Sequence, residues 1–377
     1  MHTRIYLDNN ASTPLDPRVA EEIRQKVSDL QGNPSSTHAF GKKTRSLITK
    51  GRDTIAAALK VKPSEVIFTS GGTEGINMLV RGLAAQKEKG HIITSSAEHS
   101  CVLASCKLLE ASGVKLTVLN PGTAGAVTYE QVKEAIVPET SLIVLMAVNN
   151  ETGAKTDIDR IASLAMEKGI SLVVDGVSQF GKVKIAPFHP GITAMVFSGH
   201  KFHALQGIGF AYVRHGTKIS PLLVGGEQEY GKRAGTENLL GIASMAKAVE
   251  CFAERQEEYV EHILMLRDRF EGRLLSSLKD VYVNGDGERT SNVSNLAFMG
   301  VDGETMLMML DQQGVAASHG SACSSGALEP SRVLAAMGLP LARVTSSIRF
   351  SFSRMNTVEE VDRACAIIET IVKKLSH

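Results

Sequence analysis

Lys201 stands directly after the apolar run Ala194-Met195-Val196-Phe197 and the turn residues Ser198-Gly199-His200. Lysine is nearly always turned to solvent. Fixed in a polar turn behind a buried strand, its amine loses a proton more readily and can condense with a carbonyl to form an imine. Ser198 and His200 can meet a phosphate at the same turn. Asp175 closes the apolar run Leu172-Val173-Val174. A carboxylate there is costly without a cationic partner such as a protonated ring nitrogen, unless it caps a following turn. Gly71-Gly72-Thr73 joins Val66-Ile67-Phe68-Thr69 to a helical pattern. Glycine backbone, a hydroxyl and a helix N-terminus can cradle a phosphate, and an ordinary capped turn has the same composition. His99 can stack on a flat ligand or shuttle a proton, or sit half-buried and satisfied. Asn149 and Asn150 can cap their turn or hold a polar group of a substrate.

All of these residues stand where apolar runs end, so the runs must position them. The runs are 66–69, 91–95, 116–119, 141–146, 171–175, 194–197 and 209–213, with helical patterns between several of them, as over 75–86, 128–136 and 158–168. Continuous apolar strands separated by helices predict an α/β chain with a mostly parallel sheet buried on both faces. Ligands bind such sheets beyond the strand C-termini. One long amphipathic helix, or two, is predicted over 240–275. After it, 281–283, 292–298 and 347–352 read as strands of a smaller α+β unit that ends in a helix over 358–375. The expected division is a large domain over 15–255 and a small domain made of 1–14 and 256–377.

Composition narrows the function classes. The 377 residues are 43% hydrophobic and 21% charged, with a formal net charge of +1. That balance offers no nucleic-acid or membrane-surface partner. The cluster Lys42-Lys43-Thr44-Arg45 reads as a solvated helix face. The five cysteines include no CxxC pair and no zinc spacing, so neither a metal site nor a disulfide frame is expected. The N-terminal residues lack an apolar signal core and no run of 18 apolar residues occurs, so the expected location is cytoplasmic.

A set of segments along the chain then fits one pattern. It comprises Tyr6-Leu7-Asp8-Asn9-Asn10-Ala11-Ser12-Thr13-Pro14, Gly32-Asn33-Pro34-Ser35-Ser36, Gly71-Gly72-Thr73-Glu74, Ala97-Glu98-His99 and Asn149-Asn150-Glu151-Thr152-Gly153. It continues through Ser198-Gly199-His200-Lys201, Arg233-Ala234-Gly235-Thr236-Glu237-Asn238, Gly320-Ser321-Ala322-Cys323-Ser324-Ser325 and Ser347-Ile348-Arg349-Phe350-Ser351. In order and spacing this resembles the cysteine desulfurases of the class-V aminotransferase group, which are fold-type-I pyridoxal 5'-phosphate (PLP) enzymes. The Gly-Ser-Ala-Cys form is similar to the group I branch that serves iron–sulfur assembly.

The resemblance implies a seven-stranded, mostly parallel sheet in the large domain and a small domain carrying the catalytic Cys323 loop. It implies that Lys201 holds PLP through an imine, that Asp175 pairs with the ring nitrogen and that His99 stacks on the ring and joins acid–base steps. Gly72, Thr73, Ser198 and His200 would hold the phosphate, with Thr236 reaching the phosphate of a neighbouring subunit in a homodimer. Asn150 and Arg349 would bind the carboxylate of L-cysteine, with Asn33 also assigned to the substrate. Lys201 would take the Cα proton, and the Cys323 thiolate would attack the substrate sulfur and become a persulfide, leaving L-alanine. A sulfur-acceptor protein, an iron–sulfur scaffold or another carrier, completes the implied partners. His319, where Ser or Thr is usual, can favour the thiolate or simply face solvent. Cys101, Cys106, Cys251 and Cys365 fall in helical patterns and read as small core or surface residues.

The chain departs from that pattern at a few places. Ser178, with Gln179 beside it, stands where Gln usually contacts the ring hydroxyl. Ala204-Leu205-Gln206 replaces Gly-Pro-Lys, and Tyr230 replaces Arg. The sequence stops at Lys374-Leu375-Ser376-His377, where many members continue into a scaffold-docking extension, so docking of that kind is not expected. Two other readings remain: another PLP enzyme on this fold, such as an aminotransferase or selenocysteine lyase, and a degenerate partner in a sulfur relay.

Overall fold

The computed structural model describes residues 4–86, 90–320 and 330–375. Its strands are β1 (Ile5–Tyr6), β2 (Val66–Thr69), β3 (His91–Ser95), β4 (Lys115–Leu119), β5 (Thr140–Met146), β6 (Ser171–Asp175), β7 (Ala194–Ser198), β8 (Gly209–Val213), β9 (Val281–Val283), β10 (Val293–Phe298), β11 (Val315–Ala316) and β12 (Ser347–Ser351). Seven form one sheet in the order β2-β8-β7-β6-β5-β3-β4. β3 to β7 run parallel where they pair, and β8 alone is antiparallel to its neighbours β7 and β2. The expected mostly parallel, seven-stranded sheet is therefore present.

Side-chain alternation puts a core on each face of this sheet. Ile143, Leu145, Leu172 and Val174 join one cluster with Ile55 and Leu59 of the helix Ala39–Leu59 and with Ile242, Met245 and Val249 of the helix Leu239–Ala253. Leu142, Val144 and Val173 join the other, with Ile76, Leu79 and Val80 of the helix Gly72–Ala84 and Val102 and Cys106 of the helix Ser100–Ala111. β4, at the sheet edge, is only partly covered and carries Lys115, which suits an unpaired edge.

The predicted pattern over 240–275 is two helices, Leu239–Ala253 and Gln256–Ser277. They break at Arg255, whose φ of −137° is not helical. The first packs on the large sheet. The second contributes Ile263, Leu266 and Phe270 to a separate core with Phe298, Met306, Phe350 and Ile368 around the antiparallel sheet β12-β10-β9. Ile5 and Leu7 belong to that second core, and β1 pairs in parallel with β11. The N-terminal segment thus crosses from the second unit to the C-terminal edge of the large sheet. No helix among the described residues is long and apolar enough to cross a membrane.

Candidate active site

The ends of β2, β3, β5, β6 and β7 open onto a cavity of ≈ 500 Å³. Gly72, Thr73, His99, Asn150, Asp175, Ser178, Ser198, His200, Lys201 and Arg349 all line it. Arg349 comes from β12 of the second unit, so the cavity lies between the two cores. This is the place at which an open α/β sheet offers ligand-binding groups.

At one end, the helix Gly72–Ala84 begins at the cavity wall. The N–H groups of a first helical turn have no partner within the helix, and they carry its positive dipole end. A Cβ on Gly72 would meet Val177 Cγ2 at 2.8 Å, and one on Gly209 would meet Gly71 Cα at 2.7 Å, so close backbone approach requires both glycines. Ser198 and His200 line the same cavity from β7 and the turn that follows it. Burial, then Lys201 and Lys182, pull the His200 imidazole down to about 4, so it stays neutral at pH 7.

Asp175 is 6% exposed, and Val177 N donates to its Oδ1 at 3.0 Å. It thus caps its turn and also faces the cavity. Burial raises its carboxyl, partly opposed by the Val177 hydrogen bond, His99 and Lys201. His99 caps the helix Ser100–Ala111, with its Nδ1 accepting from Cys101 N at 3.3 Å. Burial, with Lys201 and Arg332 adding to it against Asp175, lowers its imidazole. With Nδ1 an acceptor, the neutral ring carries its proton on Nε2.

Lys201 Nζ donates to the carbonyls of Asn10 at 2.5 Å and Ala11 at 3.0 Å. Asn10 is held in turn: its side chain donates to Asn150 O at 3.0 Å and accepts from Asn292 Nδ2 at 2.8 Å. Arg349 donates to Asn150 O at 3.1 Å and to Asp8 Oδ1 at 2.8 Å. Its backbone pairs with Ser318, just before His319. The His319 ring bonds Ser347 O at 2.7 Å, so the described contact of this residue is to the protein backbone.

Several expected site residues lie elsewhere. Gln179 lines a second cavity of ≈ 560 Å³ beside Phe180, Phe188 and Phe197, while Ser178 stays in the first. The turn in which Gln179 N bonds Gly176 O sends the two side chains apart, so Gln179 does not replace Ser178 at the first cavity. Asn33 is exposed and accepts from Ser35 N at 2.9 Å, closing its own turn. Thr236 is exposed and outside the lining, although nearby Arg233 is tied to Glu74 at 2.9 Å, next to the glycine turn. Cys323 lies outside the described residues.

Other lining residues had no role assigned from sequence. Asn10 and Ser12 enter from the N-terminal segment, Ser12 bonding His200 at 3.4 Å and Gln206 at 3.5 Å. Cys101 packs partly buried against the core on one face of the sheet. It lines the cavity with Sγ 3.0 Å from His99 Nδ1, because its helix starts at the cavity rather than beyond it. Burial, then Asp175, push its thiol up to about 12. Lys182 is buried beside Lys201, without lining the cavity itself. Tyr230 is exposed, with the Arg52 guanidinium 5.1 Å from its ring centroid, away from the cavity.

The aminotransferase class-V family matches residues 5–364. A cysteine desulfurase of Nostoc sp. is 43% identical over 373 residues, covering 98% of this chain and 93% of its own. The solved structure of a NifS-like protein superposes with a TM-score of 0.91 at 32% identity, over 99% of this chain and all of the other. Another, described as SspA in complex with cysteine, gives a TM-score of 0.83 at 34% identity, over 94% and 100%.

Proposed function

We propose, from the premise that this chain belongs to the class-V aminotransferase family, a reading of how its cavity works. The chain is a PLP-dependent cysteine desulfurase, converting L-cysteine to L-alanine with transfer of the sulfur. The observation that carries the site reading is the convergence of Lys201, Asp175, His99, the Gly72 helix terminus and Arg349 on one cavity.

The residues fit the cofactor. Asp175 is a buried carboxylate whose hydrogen bond among the described residues comes from the Val177 backbone N–H, which leaves it suited to a cationic ring nitrogen. The glycine turn with Thr73, Ser198 and His200 supplies N–H and side-chain polar groups to a phosphate. Lys201 would carry the aldehyde-binding amine, and His99, which lines the same cavity, would cover the ring. Ser178, which lines this cavity where Gln179 does not, would serve the ring hydroxyl. When bound, PLP supplies an electron sink for charge developing at the substrate Cα.

The chain's own groups divide the rest of the work. Arg349 and Asn150 hold the carboxylate of L-cysteine. The Lys201 amine takes the Cα proton, which it can do while held near the N-terminal carbonyls. Cys323, as thiolate, accepts the sulfur as a persulfide and passes it to an acceptor protein, an iron–sulfur scaffold or another carrier. Thr236, exposed here, completes the phosphate site of a second copy, which makes the working form a homodimer. The large unit is 15–255, and the small unit is 1–14 with 256–377. The setting is the reducing cytoplasm.

The test is to purify the protein, record its cofactor absorbance and assay alanine and sulfide from L-cysteine with a reductant. Lys201→Ala is expected to lose the bound-cofactor band. Cys323→Ala is expected to keep it and release no sulfide. Undiminished sulfide from Cys323→Ala removes that residue as the acceptor.

A further inference from the structure

Arg349 is fully enclosed, with its side chain 2% exposed, yet it borders the cavity. A guanidinium has five N–H donors in a planar fork. One Nη2 hydrogen goes to Asp8 Oδ1 at 2.8 Å and one Nη1 hydrogen to Asn150 O at 3.1 Å. Nε is buried with no hydrogen-bond partner among the described residues. A carboxylate binds such a fork through two adjacent N–H groups, and the described contacts of Arg349 use two of its five donors.

We propose that Asp8 is a positioning residue for substrate, holding the Arg349 fork so that its remaining N–H groups meet the carboxylate of the amino acid. This rests on the reading of Arg349 as the carboxylate site.

The backbone fixes Asp8 for this task. Asp8 bridges Ser351, two residues beyond Arg349 on β12, and its carbonyl accepts from Ala11 N at 3.0 Å. Ser351 N also donates to Leu7 O at 2.7 Å. The segment that aims Arg349 therefore continues, within three residues, into the Asn10 and Ala11 carbonyls that hold Lys201. One N-terminal strand sets both the carboxylate fork and the amine. Asp8 also offsets the charge of a buried cation, so Arg349 can wait in place without a ligand.

The carboxylate contact is the same before and during reaction, so its loss appears in KM and leaves kcat nearly unchanged. In the holoenzyme, Asp8→Ala is expected to raise KM for L-cysteine about tenfold with kcat within about threefold of wild type. Asp8→Asn keeps an acceptor oxygen at the Oδ1 position, and its KM is expected within about threefold of wild type. Calorimetry with 3-mercaptopropionate, which has the carboxylate and thiol but no amine, reads the same effect without turnover. Its Kd is expected to rise about tenfold in Asp8→Ala, while that of ethanethiol, which lacks the carboxylate, stays the same. An unchanged Kd for 3-mercaptopropionate, or an equal rise for ethanethiol, overturns the proposal. Absence of alanine and sulfide in the wild type would instead overturn the functional reading, and the calorimetry would still decide the role of Asp8.

Discussion

Lys182 Nζ donates a 3.2 Å hydrogen bond to the backbone carbonyl of Lys201. The side chain of Lys182 is 3% exposed, and its own carbonyl accepts from Ser291 Oγ at 2.8 Å. A buried ammonium thus pins the turn of the reactive lysine and links it to the second unit. Burial, then Lys201 and Arg349, pull the Lys182 ammonium down to about 7 from an ordinary 10.5.

That shift has a stability consequence. Between about 7 and 10.5 the unfolded chain binds more protons than the folded one at Lys182, so this group makes stability rise with pH across the window. Below about 7 its penalty is fully present. Lys182→Met removes the penalty along with the hydrogen bond to Lys201. The stability of the variant relative to wild type is expected to be better near pH 6 than near pH 9.5, by about 1–4 kcal/mol. Chemical unfolding at the two pH values measures it, and an equal difference at both would show that the ammonium is not strained by burial.

Gly72 makes a steric prediction. A Cβ there meets Val177 Cγ2 at 2.8 Å, closer than packed carbons tolerate. Gly72→Ala is expected to push the helix terminus off its place and weaken PLP binding about 10- to 100-fold, as read by absorbance titration of the cofactor-free protein. Val177→Ala in the same chain removes the clashing methyl and is expected to recover most of the loss. A double variant as weak as Gly72→Ala alone would mean that this contact is not the cause.

Ser331 donates to Glu151 Oε2 at 2.5 Å, and Arg332 donates to the carbonyls of Ser96 and Glu98. These bonds fasten the start of the helix Arg332–Ala336 to the loops after β3 and β5. Glu151 is buried and its carboxyl is raised by burial, with the Ser331 hydroxyl opposing that shift. Ser331→Ala leaves the carboxyl without that donor. The expected loss is about 1–3 kcal/mol of unfolding free energy, measured by denaturant titration. An unchanged midpoint would show that Glu151 finds another donor.

The sequence was most readable where local pattern and burial agree. The apolar runs of β2, β3, β5, β6, β7 and β8 are enclosed on both faces, so their composition announced them. Lys201 and Asp175 were conspicuous because ionisable groups seldom end such runs. The helix Ala39–Leu59 was legible only over its basic stretch. Its contact with the helix Leu239–Ala253 depends on Gly51, where a Cβ would meet Ile242 Cγ2 at 2.6 Å, and close helix approach through glycine has no apolar signature. The contributions of Asn10, Ser12 and Asp8 were hidden for another reason. Their partners His200, Lys201, Gln206 and Arg349 lie far along the chain, and tertiary pairings such as β1 with β11, Asp8 with Ser351 and Thr13 with His200 bring them together. The second side of Cys101, which packs on the core and also lines the cavity, was hidden because helical periodicity says nothing about which end of a helix borders a cavity.

Asp175 gives the sharpest contrast between stability and activity. Burial raises its carboxyl above the ordinary 3.8, so the folded protein binds more protons than the unfolded chain above that value. Stability from this group therefore falls as pH rises through its folded range, and the cost remains at pH 7. Asp175→Asn removes the charge and keeps an oxygen for the Val177 N–H, which donates at 3.0 Å. In protein stripped of PLP, the variant is expected to be more stable than wild type at pH 7 by about 1–3 kcal/mol. That advantage should shrink as pH falls through the raised range of the folded carboxyl, because protonation relieves the cost of burying the charge. With PLP bound, the same variant is expected to lose about 100-fold or more in kcat, because no carboxylate remains to hold the ring nitrogen charged. Thermal unfolding of the stripped proteins and alanine release by the loaded ones test the two halves separately. A stripped variant less stable than wild type at pH 7 would show that the buried carboxylate is already compensated by the protein, which would remove the reason for placing a cationic ring beside it.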